Sequence, residues 1–134
     1  MTLPILQVAQ ILNEAHPEVN WFTNEVPNEF VSLPKLPVGR ITELDMDYHA
    51  YASADPNYYT TYIQVDLWVE DLTMLDKYYL AIDKTMRADN VQCSFSTQTY
   101  EPDLEGASRI VKRYVITQRA VSYTHLTLPT IYPV

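Results

Sequence analysis

A chain of 134 residues with 47% hydrophobic side chains supports one domain and one modest core. A net charge of −8 opposes binding to phosphate backbones, and only two glycines, Gly39 and Gly106, leave no Gly-x-Gly or phosphate-cradling loop. The single cysteine, Cys93, has no internal disulfide partner and reads as a small buried hydrophobe in a reducing compartment.

The first residues lack a basic n-region, and Pro4 and Gln7 interrupt the apolar stretch there. Neither a signal peptide nor a membrane span is therefore expected, and the chain is expected to stay in the cytoplasm. Apolar Ile5, Val8, Ala9, Leu12 and Ala15 at helical spacing predict a helix, with Thr2 as its N-cap and Pro4 in its first turn, ending before Pro17. Trp21-Phe22-Thr23 predicts a short strand and Val26-Pro27-Asn28 a turn. The stretch to Pro37, with prolines at 27, 34 and 37, predicts an exposed arm or loop with extended backbone.

A strand follows from Val38 to about Tyr48, then a turn at Asp55-Pro56-Asn57. From Tyr58 to Val69 the alternation is clearest: Tyr59, Thr61, Ile63, Val65, Leu67 and Val69 on one face, Tyr62, Gln64, Asp66 and Trp68 on the other. Asp71 caps a second predicted helix reaching Met86 or Arg87, with Leu72, Leu75, Tyr79, Ile82 and Met86 on its buried stripe and Asp76, Lys77, Asp83 and Lys84 on its solvated back. Strands are predicted at Val91–Tyr100 and Arg109–Arg119, joined by a hairpin loop from Glu101 to Gly106. The order predicts an α+β fold, a mostly antiparallel sheet with two helices on one face, spanning residues 1–120.

The segment Val121-Ser122-Tyr123-Thr124-His125-Leu126-Thr127-Leu128-Pro129-Thr130-Ile131 resembles, in one unbroken frame, the translation of a transposon adapter used to prepare sequencing libraries. Residues 121–134 are therefore set apart from the fold as non-native, the gene is expected to come from mixed environmental DNA, and a native C-terminus beyond them is expected to be missing.

No residue set points to chemistry. Asp45 and Asp47 form a D-x-D pair, but two carboxylates supply fewer oxygens than hard cations take, and solvated strand residues explain them better. His16 and His49 have no second ligand at metal spacing, and Cys93 sits in apolar alternation without a nucleophile signature. No cofactor or catalytic residue is expected.

The eleven tyrosines are the compositional excess, clustered at Tyr48, Tyr51, Tyr58, Tyr59 and Tyr62 around one turn. They suit a subunit interface, and they equally suit strand propensity. Arg109, Lys112, Arg113 and Arg119 make the last strand the basic element, able to set register against an acidic neighbour. The candidate oligomer interface is thus Tyr58, Tyr59, Tyr62, Arg109, Lys112 and Arg113.

From about Trp21 to Arg119 the chain resembles the DUF806 family, short proteins of unassigned function from the tail-gene region of phages of Gram-positive bacteria. The resemblance rests on Val26-Pro27-Asn28-Glu29, on Ile63-Gln64-Val65-Asp66-Leu67-Trp68 leading to the helix Met74 to Met86, and on Tyr100-Glu101-Pro102-Asp103-Leu104-Glu105-Gly106 before Arg113-Tyr114. The proline-bearing segment Phe30 to Pro37 departs from the family pattern. The resemblance implies a tail terminator or tail-completion subunit, forming a homo-oligomeric ring, commonly a hexamer, at the head-proximal end of the tail tube. Its partners would be tail-tube and head–tail connector proteins, and its location the host cytoplasm during assembly, then the virion tail. A connector or other minor tail component is the alternative, and a small hydrolase or metal enzyme the third. An acidic lumen would let DNA slide without sticking. Asp45, Asp47, Asp55, Glu101, Asp103 and Glu105 are its candidate lumen or rim carboxylates.

Overall fold

The structure, a computed structural model, describes residues 3–52, 55–104 and 106–119. Thr2, Glu105 and residues 121–134 lie outside them. The first helix, α1 (Pro4–Ala15), starts on a proline whose missing N–H costs nothing at that position. It buries Val8 and Leu12, one turn apart, and ends where Pro17 forbids another turn.

Strand β1 (Asn20–Thr23) runs parallel to β2 (Val38–Ala52), which forms a long antiparallel hairpin with β3 (Asp55–Val69). Gly39 lies opposite Trp21, and a Cβ there would run into the indole. The segment between β1 and β2 is the largely exposed loop expected, but its backbone is not extended throughout. Two 3₁₀ turns, Asn28–Phe30 and Leu33–Lys35, fold it back so that Phe30 packs edge-on to Phe22 at 4.8 Å and Leu36 is buried. Its apolar residues need cover, which outweighs the extended preference of the residues before its prolines.

The turn expected at Asp55-Pro56-Asn57 is also displaced. These residues already belong to β3, with Tyr51 opposite Pro56. Strand β5 (Ser108–Arg119) pairs with β3 from Tyr58 to Val69 among the described residues.

After β3 the Asp71 carboxylate caps the next helix, accepting from the Met74 N–H at 3.0 Å. The single predicted helix bends at Leu80 into α2 (Leu72–Tyr79) and α3 (Ala81–Ala88). Leu75, Tyr78, Ile82 and Met86 face the sheet, whereas Leu72 is exposed, Tyr79 is half-buried, and Asp83, expected on the solvated back, is buried. The bend resets the helical phase, so one stripe cannot describe both segments. Asn90, at φ 62°, closes α3, and the Val91 N–H bonds back to the Met86 carbonyl.

Edge strand β4 (Gln92–Tyr100) pairs with β5, giving the order β1-β2-β3-β5-β4. A bulge between Cys93 and Phe95 breaks its expected alternation and turns Phe95 outward. The fold is α+β: a five-stranded mixed sheet, antiparallel except at β1, with the helices on one face. Ile41, Ile63, Leu67, Ile110 and Tyr114 point to that face and meet Val8, Leu12, Tyr78, Ile82 and Met86. Burying each such side chain contributes about 1.5–3 kcal/mol. The opposite face of the sheet is open except at one end.

Candidate interaction surface

Alternation sends Arg40 of β2, Asp66 and Trp68 of β3 and Arg109 of β5 to the open face, and the register sets Arg40 and Asp66 opposite each other and Trp68 opposite Arg109. The Asp66 carboxylate is fully buried between the two guanidinium groups. Arg40 donates from Nη2 at 3.0 Å to Oδ2, and Arg109 from Nη2 at 2.6 Å to Oδ1, each adding a longer bond from Nε. Gln64 donates to both carboxylate oxygens, and Arg113 donates to Gln64 Oε1 at 3.1 Å. Both guanidinium carbons also lie 5.3 Å from the centre of the Trp68 ring. One carboxylate thus fixes two cations, whose remaining N–H groups stay available, because the Arg40 and Arg109 side chains keep 31% and 27% exposure.

At the β1 end this face is partly roofed. The segment from Glu25 to Leu36 covers one side and the Glu101–Leu104 loop the other, where Trp68 Nε1 donates to Glu101 Oε1 at 2.8 Å. Between them lies a cleft of about 310 Å³ with Val26, Phe30, Leu36, Val38, Trp68 and Leu104 as apolar walls. Glu25, Glu101 and Asp103 also line it.

Toward the other end the hairpin carries the expected tyrosines. Tyr58 is 38% exposed and stacks on His49, Tyr59 meets Tyr48 edge-on at 4.9 Å, and Tyr62 lies beside Asp45 and Asp47. Partial desolvation, followed by the Asp47 carboxylate, pushes the Tyr62 hydroxyl above the usual tyrosine value. His49 Nε2 contacts Thr60 Oγ1 at 2.7 Å.

The candidate interface residues do not form one patch. Lys112 points to the helix face and is fully buried, with Nζ 3.0 Å from Asp83 Oδ2 and 2.8 Å from Ser96 Oγ. It cannot meet a neighbouring copy, and exchanging it for a glutamate would disturb the interior. Its position opposite Val65 dictates this, since even-numbered residues of β5 face the helices. Arg109 pairs with Asp66 on the open face and stays 27% exposed, while Arg113 is exposed and lies over Phe95 at 5.0 Å. Of the candidate carboxylates, Asp45 and Asp47 are exposed on β2, Glu101 and Asp103 line the cleft, Asp55 begins β3, and Glu105 lies outside the described residues.

Arg40, Asp66 and the cleft were not singled out from the sequence. One signal was present: Asp66 is the lone acid within the apolar run Ile63 to Val69. At Cys93, burial and then the Asp83 charge push the thiol upward, which keeps it protonated. Among the described residues no group of three or more His, Cys, Asp or Glu is placed to hold a metal ion, and no helix is long and apolar enough to cross a membrane. No protein-family model matches the chain, and no curated protein matches it.

Proposed function

We propose that this chain is a structural subunit of a phage tail, a tail terminator or tail-completion protein assembling as a ring at the head-proximal end of the tail tube. The observation that carries the reading is the open sheet face, where Arg40, Asp66, Trp68 and Arg109 hold one another rigid while the arginines still reach solvent. Groups locked in mutual pairs are poor acids, bases and nucleophiles, and good fixed points for a partner surface. The resemblance of its sequence motifs to the tail-gene family points to the same role. In such a ring Asp45 and Asp47 are the carboxylates to turn toward the lumen, where they would repel DNA.

The test is assembly of purified tail-tube protein with and without the chain. Tubes bearing the chain at one end, with their length arrested, are the expected result. Tubes of unchanged length with no chain bound would overturn the proposal.

A further inference from the structure

The helix side leaves several large apolar side chains in solvent, and one of them is followed by two cations on its own stripe. Leu80, at the bend between α2 and α3, is 70% exposed, more than any other large apolar residue among those described. Lys84 and Arg87 follow it at the fourth and seventh positions, which puts all three on one stripe of the helix. The Lys84 N–H bonds to the Leu80 carbonyl at 3.1 Å, so the helical phase holds across this span. Both cations are exposed, and neither makes an ion pair among the described residues. Asp76 and Lys77 precede the bend, and Lys84 and Arg87 follow it.

Other exposed apolar residues lack this pattern. Leu3 and Leu6 belong to α1 and its cap position, which have no basic residue, and the fourth residue after Leu72 is Asp76. Phe95 lies under Arg113.

The complementary shape is the cleft beside Trp68. It has apolar walls and room for a leucine side chain, and the Glu25 and Asp103 carboxylates on its lining make no ion pair among the described residues. Arg40, the cation of the lining, is already bound to Asp66. The stripe is on the helix side and the cleft on the open side of one sheet. A projection on one side matched to a socket on the other makes a head-to-tail contact, which closes into a ring when the rotation between copies permits.

We infer that Leu80 of one copy enters the cleft beside Trp68 of the next, with Lys84 and Arg87 set against Glu25 and Asp103; this rests on the ring reading above and names its subunit contact. Two variants test it. One carries Leu80→Asp with Lys84→Glu, spoiling the projection, and the other Glu25→Lys with Asp103→Lys, spoiling the socket. Circular dichroism checks that each is folded, and the milder Leu80→Ser and Glu25→Gln replace them if either is not.

Each variant alone should self-associate at least about tenfold more weakly than the parent chain in sedimentation velocity. Mixed in equal amounts they should form a one-to-one pair and nothing larger, because one intact projection then meets one intact socket. Trp68 emission, followed with Trp21→Phe in both variants, should shift to the blue on mixing. Variants that retain the parent oligomer, or a mixture that stays monomeric, would overturn the contact while leaving the ring reading in place. A parent chain that is monomeric throughout would overturn both.

Discussion

Two carboxylates are withdrawn from water on opposite faces of the sheet, and they are neutralised differently. Asp83, under the helices, faces the buried Lys112 ammonium at 3.0 Å and accepts from the Tyr114 hydroxyl at 2.6 Å. Asp66, on the open face, is held by two arginines that keep about a third of their side-chain surface in solvent. The first arrangement ties α3 to β5 and has no surface to offer. The second stiffens a surface whose cations remain available. Similar chemistry thus serves cohesion on one face and presentation on the other.

The largest effect should come from leaving Lys112 without its partner. Asp83→Ala is expected to cost about 3–5 kcal/mol in denaturant-induced unfolding, because an ammonium would remain buried and uncompensated. Replacing both members, Asp83→Leu with Lys112→Met, should recover most of that loss, since an apolar pair needs no counter-charge. A double variant as unstable as the single one would show that the pair does more than neutralise itself.

On the open face Asp66→Asn should cost less, about 1–3 kcal/mol, because Arg40 and Arg109 can turn outward to water once the carboxylate is gone. A loss equal to that of Asp83→Ala would erase the distinction between the faces.

Tyr114→Phe is expected to be smaller still at neutral pH, about 1 kcal/mol, with a clear pH signature. Burial, followed by the hydrogen bond and charge of Asp83, raises the Tyr114 hydroxyl above the ordinary tyrosine value of 10. The fold therefore favours the neutral hydroxyl. Its contribution is complete below pH 10 and is lost as the pH rises from there toward the folded-state value. Unfolding curves from pH 9 to 11 should fall more steeply for the parent chain than for the variant.

The smallest effect belongs to Glu18. Its burial acts upward but is outweighed by the Tyr78 hydroxyl, its own backbone bond, His16 and Lys77, which together hold it below the ordinary carboxylate value of 4.5. Its contribution should be present above that value and fade as the pH falls through the lower folded one, so Glu18→Gln should flatten the acid limb of the stability curve.

The sheet and helices were legible where periodicity is strong. From Thr61 to Val69 alternation predicts burial well, and Asp71 announces its cap. The bend at Leu80 was not legible, since neither glycine nor proline marks it, and with it went the burial of Asp83. Lys112 was misjudged for a related reason: charge alone suggests a surface, while its even position in the strand places it among the core residues Ile110 and Tyr114. The Arg40–Asp66–Arg109 cluster depends on the register of three strands separated by 26 and 43 residues, which local pattern does not encode. The cleft needs two loops to meet over Trp68, and the prolines between β1 and β2 suggested an extended backbone instead of a lid.

Light scattering on the purified chain shows whether it joins its own copies. A chain that works through surfaces matched to its own copies should give a mass several times that of one chain, in a single closed species that does not grow with concentration. A single-chain mass at every concentration, or open-ended growth into fibres, would contradict the proposed ring.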